Sequence, residues 1–226
     1  MDGEVIRLRG LIKTPANILV AAPSQSGKSS LVKEIILNRD ELFDCKTMHI
    51  LYCYKIDQEL YSPLKNQTDI SFHEGVPTRE MLEKISNKKE HVIVVFDDLA
   101  HDLLSKENIS FTETCFTVLG HHLNISYIMI AQNLFQKNLR HISINVHIFF
   151  VCNYIRDINQ VFVLARQCFA HKASVFMDIY NDALKSSKND TLPSYIMLSC
   201  HPHSGPIRLF TNILPFQRPI IAYVIN

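Results

Sequence analysis

The sequence predicts an α/β domain with a mainly parallel central sheet flanked by helices, plus a C-terminal β-hairpin. Three observations predict it. First, Asn17-Ile-Leu-Val20, Val92-Ile-Val-Val-Phe96 and Ile125-Ser-Tyr-Ile-Met-Ile-Ala131 are short, nearly continuous apolar runs. Such runs are strands buried on both faces, as in a parallel sheet. Second, they alternate along the chain with segments of helical spacing, at 30–37, 111–122, 158–167 and 173–184. Third, Tyr195-Ile-Met-Leu-Ser-Cys200 and Ile207-Arg-Leu-Phe-Thr211 are joined by His201-Pro-His-Ser-Gly205. The length and glycine of that link predict an antiparallel hairpin.

In chain order, residues 1–15 form an N-terminal arm with Arg7, Arg9 and Lys13 between apolar residues, read as a solvated edge strand. The strand at 17–20 and the helix at 30–37 follow. Met48–Tyr54 is a second strand and Ile70–Phe72 a short third one. Pro77-Thr78 opens a short helix that runs to Ile85. The strand at 92–96 comes next. Residues 102–109 are polar and irregular, and Phe111–His122 is helical. The strand at 125–131 leads through a polar connection to another strand, Val146–Cys152. Two helices, a loop at 185–190 and the hairpin complete one domain over 1–226, with 190–226 as a C-terminal extension.

The chemistry sits between the first strand and the first helix. Ala22-Pro-Ser-Gln-Ser-Gly-Lys-Ser29 reads as a P-loop ending in Gly27-Lys28-Ser29. Strand, tight loop and helix are the context that makes this pattern a site. Backbone N–H groups of the loop and the helix N-terminus would converge on phosphate, with Pro23, Ser24, Gln25, Ser26, Gly27 and Ser30 lining the cradle. Lys28 would reach the β- and γ-phosphates of ATP, and the Ser29 hydroxyl would hold Mg²⁺. The first position is Ala22, where the pattern has glycine. Alanine is penalised there if φ must be positive and serves if the site only needs a small residue. On this reading Ala22→Gly is neutral or mildly activating.

Asp97 and Asp98 end the strand at 92–96, about 70 residues further on. Paired carboxylates at a strand end are poor core filler, because unpaired buried charge is costly. They fit a Walker B motif, with Asp97 in the Mg²⁺ shell and Asp98 polarising the attacking water. Helix-capping aspartates are the competing reading. Ligands of open α/β sheets bind beyond the C-terminal strand ends. Gln132 lies there after the strand at 125–131, where an amide can touch both water and γ-phosphate. Arg140 is the candidate arginine finger of this half, with Arg156 and Arg166 as alternatives; each also reads as a solvated charge.

Composition sets bounds. The chain has 226 residues, 47% of them hydrophobic, and a formal charge of +1, so charge neither suggests nor excludes nucleic acid. Six cysteines are scattered without a Cys-x-x-Cys, the pattern of reduced thiols in an intracellular protein. The acidic, polar start has no signal-peptide character, and no apolar run reaches the roughly 20 residues that span a bilayer. Cys200-His201-Pro-His203 lacks a second ligand pair and reads as a polar loop rather than a metal site. His121-His122 reads as exposed or capping.

The P-loop and Asp97-Asp98 are followed by Ile130-Ala-Gln-Asn-Leu-Phe135, Arg140-His-Ile-Ser-Ile-Asn145 and Leu164-Ala-Arg-Gln167. Together, over roughly residues 15–215, these blocks resemble the DNA-packaging ATPases of the FtsK-HerA superfamily found in Polinton (Maverick) elements and related double-stranded DNA viruses. The departures are Ala22 and Gln25, where that family has glycine. The resemblance implies a P-loop ATPase that uses ATP and Mg²⁺ and assembles as a homo-oligomeric ring of five or six subunits. It implies double-stranded DNA as substrate and a capsid or portal vertex as partner, with no membrane. The host nucleus, a virus assembly site and the virion are the implied locations. Two rival readings remain. A nucleoside or nucleotide kinase shares the P-loop, but the stretch from 99 to 136 holds too few basic residues for its usual lid. A non-catalytic ATP-binding protein follows if Ala22 weakens the loop.

Overall fold

The computed structural model describes residues 10–86, 89–135, 139–186 and 191–225, without the side chains of Met48, Arg140 and His141. Nine strands form one sheet: β1 Asn17–Ala21, β2 Thr47–Tyr54, β3 Ile70–Glu74, β4 His91–Asp97, β5 Ile125–Ala131, β6 Ile148–Cys152, β7 Tyr195–Ser199, β8 Leu209–Thr211 and β9 Ile221–Tyr223. Their spatial order is β3-β2-β4-β5-β1-β6-β7-β8-β9. Pairing from β3 to β6 is parallel, and β7, β8 and β9 add on antiparallel. The α/β class, the parallel centre and the late hairpin are therefore as the sequence predicts. The strand β9 was not visible in the pattern, because Ile221-Ala-Tyr223 is only three residues long and half-exposed.

Alternation along the central strands sends successive side chains to opposite faces. Leu19, Val94, Phe96 and Met129 enter one apolar layer, packed against the helices Ile158–Phe169 and Ala173–Lys185 and the helical stretch 109–123. Ile18, Val20, Ile93 and Ile128 enter the other, against the helix Lys28–Leu37. Each central strand is thus buried on both faces, which is why its sequence shows no polar alternation. The stretch 109–123 begins two residues earlier than its periodicity suggests and widens to a π-helix at Cys115–Leu119. Within 102–109, residues 104–108 are turn and bend, as the sequence predicts, while the ends belong to the helices Ala100–Leu103 and Ile109–Thr114. Among the described residues, no helix is long and apolar enough to cross a membrane.

The arm differs from its reading as a solvated strand. Ile12 is fully buried; its N–H donates to the Leu42 carbonyl and its carbonyl accepts from the Asp44 N–H, at 2.9 and 3.0 Å. The physical reason is that Ile12 pairs with Phe43 in an isolated parallel bridge and joins the same apolar layer. Lys13 stays at the surface, 3.6 Å from Asp44. Arg7 and Arg9 lie outside the described residues.

One buried group makes the fold sensitive to acid. His91 is 2% exposed, with Nδ1 3.0 Å from Thr47 Oγ1 and Nε2 2.7 Å from Ser126 Oγ. Burial holds its imidazole down at about 4. The unfolded chain then binds the proton first, near its ordinary value of about 6.5. The stabilisation is complete above that value and is lost as pH falls toward 4. At pH 5 this one histidine is expected to have removed about 2 kcal/mol. Urea unfolding at pH 7 and pH 5 measures the loss, and in His91→Gln the pH dependence should shrink by that amount. An unchanged slope would refute the assignment.

Candidate nucleotide site

The loop leaves β1 at Ala21 and enters the helix at Lys28. Gly27 is the N-cap, with φ 84°, and no side chain caps the helix. The first-turn N–H groups are therefore left facing the loop, as an anion site requires. A Cβ on Gly27 would sit 3.1 Å from Pro193 Cδ, so both the left-handed backbone and the packing call for glycine. Ser26 Oγ is buried in the loop with no hydrogen-bond partner. A phosphate oxygen would satisfy this hydroxyl.

The question posed by Ala22 is settled by its backbone. Ala22 is not among the residues with positive φ, whereas Gln25 is, at 60°. Its methyl is fully buried in the layer beside the helix Lys28–Leu37, and its N–H donates to the Ala131 carbonyl at 3.2 Å. Whatever its effect on activity, Ala22→Gly is accordingly expected to cost about 1 kcal/mol of stability through lost burial and added chain entropy. Chemical denaturation reads this directly; equal or higher stability would contradict it.

The two aspartates occupy opposite environments. Asp97 is fully buried. Its Oδ1 accepts from Ser29 Oγ at 2.9 Å, and its Oδ2 accepts from the Tyr52 and Tyr61 hydroxyls at 2.8 and 3.0 Å. Burial holds the carboxyl above its ordinary range, and the three hydroxyl donors offset only part of that rise. Burial and the same carboxylate push both phenols up. Asp98 is exposed and left-handed, with φ 55°. With Lys28, Gln132, Asn133 and His101 it lines a cavity of 300 Å³. A second cavity, of 410 Å³, runs along Ser24–Ser30 and is closed by Gln58, Leu60, Asp98 and Gln132.

Lys28 is 7% exposed, and its ammonium donates to the Pro23 carbonyl at 2.6 Å. Burial lowers its affinity for the proton, against the attraction of Asp98 and Asp97. Gln132 follows β5, which lies between β1 and β4 and so carries the amide to the gap between loop and carboxylates. The Tyr154 hydroxyl donates to the Gln132 carbonyl at 2.9 Å, and Gln160 Oε1 accepts from the Leu134 N–H at 2.7 Å. Hence Lys28 and Ser29, Asp97 and Asp98, and Gln132, three groups far apart in the chain, meet beyond the C-terminal ends of the central strands β1, β4 and β5.

The arginines are dispersed. Arg140 begins a short helix, Arg140–Ser143, but its side chain lies outside the described residues. Arg156 is exposed on a groove of 880 Å³ shared with Pro23–Ser26 and Gln132. Arg166 is exposed on the last turn of the helix Ile158–Phe169. His201 lies in the link between β7 and β8, where the sequence places a polar hairpin loop, but its side chain is buried. It is 5% exposed, with its ring 4.9 Å from His147 and 5.5 Å from His203, at the opposite strand ends. His121 and His122 are exposed.

Sequence reasoning missed Tyr52, Tyr61 and Gln58. Tyr52 reads as one more apolar residue of β2, and only the pairing of Tyr54 with Asp97 in the β2–β4 ladder brings the strand beside the carboxylate. Ser29 and Asp97 present adjacent hard oxygen donors, the chemistry that suits Mg²⁺ when phosphate and water complete its shell.

A mainly parallel sheet with this loop, and with β5 between the strands that carry the loop and Asp97, defines a P-loop NTPase fold. No protein-family model matches the sequence, and no curated protein does. Solved structures do. The genome packaging NTPase B204 from Sulfolobus turreted icosahedral virus 2, in complex with sulfate, superposes with a TM-score of 0.57 at 12% identity, over 95% of this chain and 99% of that one. B204 described as the DNA-packaging ATPase from Sulfolobus turreted icosahedral virus gives 0.53 at 13%, over 97% and 100%. EssC (ATPases 2 and 3) from Geobacillus thermodenitrificans gives 0.48 at 16%, and the match spans 34% of that longer chain.

Proposed function

We propose that this chain is an ATP-driven double-stranded DNA translocase of the FtsK-HerA type that packages a viral or transposon genome into a capsid. The observation that carries the reading is the meeting of Lys28, Ser29–Asp97, Asp98 and Gln132 on a fold shared over its whole length with B204. Helix N–H groups, Ser26 and Lys28 bind and orient the triphosphate. Bound Mg²⁺, held by Ser29 and Asp97, would neutralise charge on the phosphate oxygens. Asp98 takes the proton of the attacking water, and Gln132 orients that water. Because a site built on strand ends opens toward the surface, a neighbouring subunit of a ring can complete it, and Arg140 is the candidate group supplied in trans.

The test is hydrolysis of ATP with and without duplex DNA. Stimulation by DNA, falling steeply with salt, supports the motor. Transfer of phosphate to a nucleoside would instead support the kinase reading and overturn this one. Mixing Arg140→Ala with Lys28→Ala subunits tests the ring. Recovered activity means that Arg140 acts across an interface; its absence means that it acts within its own subunit or not at all.

A further inference from the structure

We propose that Cys168 and Cys200 are an oxidation site: a vicinal dithiol that hydrogen peroxide closes to an intramolecular disulfide. Their Sγ atoms lie 3.9 Å apart. Cys168 is exposed near the end of the helix Ile158–Phe169, and Cys200 is half-buried just beyond β7. Both line a groove of 640 Å³ with Phe135, Ile144 and Leu164, wide enough for a small oxidant. The backbone of Cys200 is fixed, since its N–H donates to the His147 carbonyl at 2.7 Å. A disulfide needs its sulfurs at about 2.0 Å, a closure within reach of side-chain rotation at a helix end. The other cysteines lack this arrangement. Cys53, Cys115 and Cys152 are buried, and Cys45 accepts from the Thr14 hydroxyl at 3.1 Å.

The roles of the two sulfurs follow from their surroundings. The Arg208 guanidinium favours a thiolate at this pair, and one thiol hydrogen-bonds the other sulfur at 3.9 Å. On this proposal Cys200 is the attacking thiolate, and trapping in Cys168→Ser tests that order. It takes one oxygen from the peroxide, which breaks the O–O bond and, with a proton, releases water and leaves a sulfenic acid. The Cys168 sulfur then displaces the hydroxyl, which leaves as a second water. In total, two thiols lose two hydrogens and one peroxide becomes two waters.

The bond would tie β7 to a helix whose other end holds the nucleotide edge, because Gln160 accepts from the Leu134 N–H. The experiment treats the full chain with hydrogen peroxide, blocks free thiols and maps the peptides by mass. A linked Cys168–Cys200 peptide lighter by two hydrogens is expected, together with slower amide exchange at Leu134. In Cys168→Ser, dimedone should trap a sulfenic acid on Cys200. Oxygen addition at either sulfur with no linked peptide, or a link between two chains, would overturn the proposal. None of these readouts depends on ATP chemistry, so the assignment stands or falls apart from the motor reading.

Discussion

Lys28→Ala is expected to reduce ATP hydrolysis by roughly a thousandfold, within the range seen when a group stabilising transition-state charge is removed. The argument begins with place. The ammonium is 7% exposed and sits at the mouth of the loop, bound to the Pro23 carbonyl. Asp98 and Asp97 draw it toward the cavity that Asp98 and Gln132 share. In so desolvated a position the charge acts with little screening, and no other described lysine lines these cavities. The fold should survive, because burial already disfavours the charged form and alanine suits a helix start. Circular dichroism would establish folding, and phosphate release would give the rate. A properly folded variant that turns over near the wild-type rate would remove Lys28 from the mechanism.

How much of this was legible depends on the range of the interaction. The P-loop was readable because its determinants are local: a strand, a glycine needed at φ 84°, and a helix at Lys28 within a dozen residues. Asp97 and Asp98 were readable because charge after five apolar residues violates the strand's own pattern. That one of the pair is buried and the other exposed was not readable, because the cause lies elsewhere in the chain. Tyr52 and Tyr61 reach Asp97 over 45 and 36 residues, through a sheet order in which β2 flanks β4. No periodicity encodes that neighbourhood. The short helix at Glu59–Tyr61, which carries Tyr61, likewise has too few residues to show a period. Ile12 was misjudged for the same reason: its burial depends on Leu42 and Phe43, not on its polar neighbours in the arm.

Asp98→Asn is expected to leave ATP bound and to lower hydrolysis by about 10²–10⁴-fold, the usual contribution of a positioned general base. Three features make this substitution informative. Asp98 has φ 55°, a conformation that asparagine tolerates better than alanine or glutamate, so the backbone should stay in place. Its side chain is exposed at the cavity that Lys28 and Gln132 also line, so water can solvate the new amide. Asp97 keeps Ser29, Tyr52 and Tyr61, so the oxygen pair proposed for the metal is untouched. The contrasting variant is Asp97→Asn. There an NH₂ group must face hydroxyls that now donate to a buried carboxylate, and both folding stability and Mg²⁺-dependent nucleotide binding should fall. Equilibrium binding of a fluorescent ATP analogue, unfolding curves and single-turnover hydrolysis separate the two. If Asp98→Asn hydrolyses ATP at the wild-type rate while Asp97→Asn binds and folds normally, the assignment of roles to the pair is wrong.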